Sequence, residues 1–155
     1  MILNTRSIDT FITTFVEENA DWISHLQVDG EWRIGITAED ECFRNSVVND
    51  YEPFGMNRIF HCIAVNTERC LHYELTDEMK TAMLCHEIGH IVYAVDQQFM
   101  EDERAYSLRK EIAADQLAVE HGLREALRDG LQRLVDSGDF ENDNMLIRIR
   151  LLSNH

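Results

Sequence analysis

Proline occurs once in this sequence, at position 53, and no tract is of low complexity or internally repeated. With 45% hydrophobic residues the chain has material for a packed core, which excludes a disordered segment. Basic residues are scarce too. Fourteen Lys and Arg stand against 29 Asp and Glu, a net charge of −15 that repels phosphate backbones and anionic membrane surfaces, so direct nucleic-acid binding is not expected. No apolar run approaches the ~20 residues that cross a bilayer. The best stretch, Ile88 to Val95, contains His90 and ends at Asp96, so membrane insertion is not expected. The start, Met1 to Ser7, lacks a basic region followed by an apolar stretch and a small-residue cleavage site, so no secretion signal is read there. Cys42, Cys62, Cys70 and Cys85 include no C-x-x-C pair, which argues against a zinc ribbon, and without a secretion signal against a disulfide framework. They are read as reduced, mostly buried thiols in a soluble, cytoplasmic protein.

A length of 155 residues predicts one domain over 1–155. Ile8, Phe11, Ile12, Phe15, Val16, Trp22, Ile23 and Leu26 recur at steps of three and four, predicting an amphipathic helix from Ile8 to Leu26. Asp29-Gly30 marks a turn, and Trp32, Ile34 and Ile36 then alternate as a half-buried strand does. The polar stretch Thr37 to Asn57 reads as an irregular connection with room for a short helix, and Arg58 to Asn66 as a strand. Two or three strands are thus expected before a run of helices. Thr76 caps the first of these, which runs to about Val95, and Asp77 and Glu78 fall in its first turn, where negative charge suits the helix dipole. An acidic loop, Asp96 to Glu103, leads to a helix from Arg104 to His121 that stops at Gly122. Two more helices are predicted, Leu123 to Val135 and Asn144 to Leu152, separated by Ser137-Gly138-Asp139. The order predicts an α+β domain with its strands gathered on one side.

The chemistry is concentrated in His86-Glu87-Ile88-Gly89-His90. Zinc hydrolysis needs neutral imidazoles on one face, an open position for water and a base near it. On a helix, His86 and His90 project from one face a turn apart, and Glu87 lies beside them without being a ligand. Two ordinary histidines on a half-buried helix would give the same spacing. Twenty residues after His90, Glu111-Ile112-Ala113-Ala114-Asp115 supplies a carboxylate that completes a two-histidine, one-glutamate site. Asp115, one turn later, is placed to accept the other ring N–H of a ligating histidine, which fixes its tautomer. Asp115 is also an alternative third ligand, and a solvated acidic stripe is the alternative for both carboxylates. Ala113, Ala114, Ala118 and Gly89 argue for close packing of the two helices instead, since glycine inside a helix costs about 1 kcal/mol relative to alanine. Tyr93, Tyr106 and His121 are candidates to donate a hydrogen bond to a developing oxyanion, or packing residues. Cys85 points about 100° away from His86 and is read as core.

These residues resemble the gluzincin metallopeptidases, whose pattern is H-E-x-x-H followed by a glutamate on the next helix. The nearer likeness is to the M48 peptidases, through H-E-[ILV]-G-H and E-x-x-A-D-x-x-A-x-x-x-G, matched by His86 to His90 and by Glu111, Ala114, Asp115, Ala118 and Gly122. Arg148-Ile149-Arg150-Leu151-Leu152 resembles the R-I-x-x-L tail segment of that family. The soluble ImmA/IrrE-type metallopeptidases are similar as well, through H-E-[LI]-x-H and E-x-x-A-[ND]-x-x-A. The likeness covers Thr76 to Gly122 and, loosely, the last helix; the spanning helices of the membrane-bound M48 enzymes and a DNA-binding helix-turn-helix are not seen in this sequence. The resemblance implies one Zn²⁺, peptide-bond hydrolysis and a minimal zincin-like domain, a small β-sheet packed on the active-site helix and the ligand-bearing helix after it. It favours Glu111 over Asp115 as third ligand.

The sequence thus predicts a zinc metallopeptidase with His86, His90 and Glu111 on the metal, Glu87 as general base, Asp115 orienting a histidine, and a peptide or protein as substrate. The rival reading is a metal-containing regulatory or inhibitory protein that engages a basic partner through its acidic surface, without proteolysis. A fold without metal is the third.

Overall fold

The computed structural model describes residues 2–3, 10–26, 31–36, 42–51, 57–95, 102–140 and 143–154. The chain divides into two compact units, Met1–Arg69 and Cys70–His155. Most described residues are helical, and the strands all precede the main run of helices.

The first unit carries a four-stranded sheet in the order β1-β2-β4-β3, from β1 (Ile2–Leu3), β2 (Glu31–Ile36), β3 (Phe43–Tyr51) and β4 (Asn57–Val65). β1 and β2 pair parallel, as do β2 and β4, with Ile34 opposite Ile63. β3 and β4 form an antiparallel pair in which Phe43 faces Val65 and Tyr51 faces Asn57. Two expectations fail here. Thr37 to Asn57 is not an irregular connection, because β3 lies inside it, and the described residues form four strands rather than two or three. Asn45, Asn49 and Asp50 are poor strand formers, but among the described residues β3 is an edge strand paired with β4, and strand preference follows pairing and position more than composition. Residues 37–41 and 52–56 of that stretch lie outside the described residues.

The predicted helix from Ile8 to Leu26 is two helices, α1 (Thr10–Glu18) and α2 (Ala20–Ser24), with Ile8 and Asp9 outside the described residues. Asn19 separates them. Its side-chain amide donates to the Phe15 carbonyl at 2.7 Å and its Oδ1 accepts from the Trp22 indole at 2.8 Å, a local bonding pattern that competes with helix continuation. Ile12, Phe15 and Ile23 are buried, so the apolar periodicity is real although the helix is interrupted. A short helix the sequence reading did not anticipate, α3 (Thr67–His72), follows β4; Asn66 caps it by accepting from the Arg69 amide at 3.0 Å.

The second unit is a packed set of α4 (Asp77–Val92), α5 (Glu103–Glu120), α6 (Arg124–Asp136) and α7 (Asp143–Ser153). α4 starts where Thr76 predicts, with Thr76 Oγ1 accepting from the Met79 amide at 3.2 Å, and it ends at Val92, three residues short of Val95. Residues 96–101 of the expected acidic loop lie outside the described residues. Asp102 then caps α5 by accepting from the Arg104 amide at 2.9 Å. Gly122 ends α5 with φ of +73°, and the Leu123 and Gly122 amides reach back to the Ala118 and Val119 carbonyls, the paired bonds of a Schellman cap. α4 packs on α5 and α6, and α7 packs on α5 and α6. Leu84, Ile88, Ala114, Ala118 and Leu127 are completely or almost completely buried.

One contact sets the spacing of α4 and α5. A Cβ on Gly89 would overlap the carbonyl of Ala114, so the α5 backbone lies directly against the α4 backbone at that point. The two small residues sit between His86 and His90 on one helix and between Glu111 and Asp115 on the other. Close packing here therefore brings the polar side chains of both helices within bonding range.

Candidate metal centre

α4 supplies His86, Glu87 and His90; α5 supplies Glu111 and Asp115. The His86 and His90 rings stand edge-on, 4.6 Å between centroids, as the one-turn spacing predicts. Both Nε2 atoms converge on the Glu111 carboxylate, His86 at 3.2 Å from Oε2 and His90 at 3.5 Å from Oε1. One ligand atom from each of the three residues lies within 4.8 Å of the others. Tetrahedral ligands held at the usual 2.0–2.1 Å from zinc stand about 3.3 Å apart. The donor set, two imidazole nitrogens and a carboxylate oxygen, suits Zn²⁺, and its spacing needs only small adjustment to close on an ion.

The far nitrogen of His86 is fixed. Nδ1 lies 2.7 Å from Asp115 Oδ1, so its N–H donates to that carboxylate and Nε2 is the nitrogen directed at Glu111. Asp115 thus lies on the far nitrogen of His86, while the three groups that could share a metal ion are His86, His90 and Glu111.

Arg148 of α7 belongs to the same group, and the sequence reading gave it no role. Its Nε donates to Asp115 Oδ2 at 2.9 Å and its Nη2 to Oδ1 at 2.7 Å, a two-toothed grip on one carboxylate. Nη1 donates to Glu111 Oε2 at 3.2 Å. Nη2 also comes within 3.2 Å of His86 Nδ1; both atoms carry hydrogens directed at the same Asp115 oxygen, so this is a shared acceptor rather than a bond between them. His86, Asp115 and Arg148 are each no more than 6% exposed.

Electrostatics follow from this packing. Burial and the Arg148 charge pull the His86 imidazole down, but its hydrogen bonds to Asp115 and Glu111 and the Asp115 charge outweigh them and push it up to about 9. Burial disfavours charge on Glu111 and Asp115, yet bonds from His86, from His90 to Glu111 and from Arg148 to Asp115 hold both carboxyls below their ordinary range. Burial raises the Glu87 carboxyl above its ordinary value; the positive His86, His90 and Arg148 act against that and Glu111 adds to it. A carboxyl raised in this way is a better proton acceptor than a free one.

The other candidates are engaged elsewhere. The Tyr93 hydroxyl donates to Glu120 at 2.7 Å, nine residues or roughly 13 Å along α5 from Glu111. The Tyr106 hydroxyl donates to the Val95 carbonyl at 3.4 Å. His121 is the C-cap of α5 and exposed. Cys85 is buried, burial pushes its thiol up to about 12, and it lies outside the His86, His90 and Glu111 group. The four cysteines are thiols rather than disulfides. No helix among the described residues is long and apolar enough to cross a membrane. Comparison with protein-family models, with curated proteins and with solved structures finds no match to this chain.

Proposed function

We propose that this chain is a small cytoplasmic zinc metallopeptidase of zincin-like fold, with His86, His90 and Glu111 as ligands and a peptide or protein as substrate. The observation that carries the reading is the convergence of both imidazole Nε2 atoms on one carboxylate, with the other nitrogen of His86 donating to Asp115. Two imidazole nitrogens and a carboxylate oxygen gathered from neighbouring helices are the donor set of a two-histidine, one-glutamate zinc site. Zn²⁺ bound there would act as a Lewis acid toward a peptide carbonyl and make water more acidic.

The chain's own residues do the rest. Glu87 follows His86 on the same helix and lies beside the ligand face, where its carboxylate would take a proton from the attacking water and deliver it to the leaving amine. Asp115 keeps the His86 proton on Nδ1 throughout, so Nε2 remains a donor of its lone pair.

The test is zinc stoichiometry together with hydrolysis of a broad peptide library. Purified protein should take one zinc and cleave; Glu87→Gln should keep the zinc and lose at least about a hundredfold in rate, the scale of a general base. Zinc retention with no cleavage by the native chain would point to the metal-containing binding protein. No metal uptake after reconstitution would remove both readings.

A further inference from the structure

Between α4 and α5, Asp115 Oδ1 meets His86 Nδ1 at 2.7 Å. A carboxylate that accepts from His86 through Oδ1 alone is free to rotate about its Cβ–Cγ bond, and the imidazole would follow it. α7 removes that freedom. Arg148 binds both Asp115 oxygens, at 2.7 and 2.9 Å, and bonds a Glu111 oxygen at 3.2 Å with its remaining nitrogen. One planar group thus fixes the orienting carboxylate and the ligand carboxylate relative to each other. The planarity matters, because a guanidinium presents its N–H groups at set angles while an ammonium is a point charge.

The position of Arg148 argues that this is its purpose rather than a by-product of packing. On α7 the apolar Leu146, Ile147 and Leu151 are 37–47% exposed, and the cation between them is 5% exposed. Burying a guanidinium while leaving three aliphatic side chains in solvent runs against hydrophobic burial unless the buried charges compensate. The helix is rotated to deliver its arginine.

Resting on the metal reading above, we infer that Arg148 is a positioning residue of the centre: acting through Asp115 and Glu111, it presets the metal ligands, so that zinc affinity and coordination geometry depend on α7. The two-toothed grip, not positive charge alone, is what the centre uses.

The experiment titrates the full chain with Zn²⁺ in competition with a chromophoric chelator and records the absorption spectrum of the Co²⁺-loaded protein, for native, Arg148→Met, Arg148→Lys, Asp115→Ala and the Arg148→Met/Asp115→Ala pair. Arg148→Met should weaken zinc binding by about 10- to 100-fold and alter the Co²⁺ spectrum, the range seen when a partner of a metal ligand is removed. Arg148→Lys should restore neither fully, and the double variant should be no weaker than Asp115→Ala by more than about threefold, since both changes cut one chain of contacts. Native affinity and an unchanged spectrum in folded Arg148→Met would overturn the inference, and so would simple additivity in the double variant. If Arg148→Met does not fold, Arg148→Lys decides by the same spectrum: a native spectrum counts against the inference, an altered one for it. Native protein that takes up neither metal defeats the metal reading itself, a result distinct from all of these.

Discussion

His86 stands between two carboxylates, and without metal it satisfies both only by carrying a proton on each nitrogen. That fixes the sign of its pH dependence. Its folded value, about 9, lies above the ordinary 6.5, so its contribution to stability is complete below pH 6.5 and is lost as pH rises toward 9. Glu111 and Asp115 are shifted down, so theirs is present above the ordinary carboxylate range and is lost as pH falls through it. Metal-free protein should therefore show its highest urea midpoint between roughly pH 5 and 6.5, with a decline from there to pH 9. Zinc on Nε2 takes the place of the proton, and the alkaline decline should disappear in loaded protein. A midpoint that stays level from pH 6.5 to 9 in the presence of chelator would show that the imidazole is neutral throughout.

At the scale of the element, the packing of α4 on α5 rests on position 89. Alanine there gains about 1 kcal/mol of helix propensity. Against this, its Cβ meets the fixed carbonyl of Ala114 rather than a movable side chain, and overpacking a tight contact costs typically 1–3 kcal/mol. The clash wins. Gly89→Ala should lower the thermal midpoint by several degrees and weaken zinc binding by at least about tenfold, because separating the helices draws Glu111 away from both histidines. Gly130 is a useful control, since the nearest atom to a Cβ there is the end of the flexible Met83 side chain. The elements differed in how far they were legible. α4 and the end of α5 were readable because their signals are local: Thr76 caps one and Gly122 closes the other. That His86, His90, Glu111 and Asp115 come together was legible from helical spacing on the two helices. β3 was not legible, because its pairing with β4 overrides the polar Asn45, Asn49 and Asp50. Asn19 escaped notice for the opposite reason: a local side-chain bond interrupts an apolar periodicity that continues on either side. Arg148 was hidden by distance, 33 residues from Asp115, and by an apolar pattern on α7 that points to the wrong face. Two signals were available: Arg148 opens the segment that resembles the R-I-x-x-L tail, and it lies four residues before Leu152, which is buried, and so shares its face.

Across the whole molecule, all the residues of the centre belong to the unit Cys70–His155. A ligand that binds only the folded state stabilises whatever cooperative unit contains its site. Zinc should therefore slow amide hydrogen exchange in α4, α5 and α7, by at least about tenfold in their central turns, and leave β2, β3 and β4 nearly unchanged. Exchange followed by mass spectrometry on peptides from both units provides the measurement. Equal slowing in the sheet would mean that the units open together as one.

The contact between Gly89 and Ala114 also bears on how much information the motif holds. Written as H-E-x-x-H, it has three fixed letters and two free ones. In this fold the second free letter is not free, because the neighbouring backbone occupies the space any side chain would need. A chain with bulk at that position could keep both histidines and the glutamate in register on paper, yet its second helix would stand too far off for a carboxylate to reach both rings. The shape of the partner helix thus writes a fourth letter into the pattern, and a coincidental match becomes correspondingly rarer.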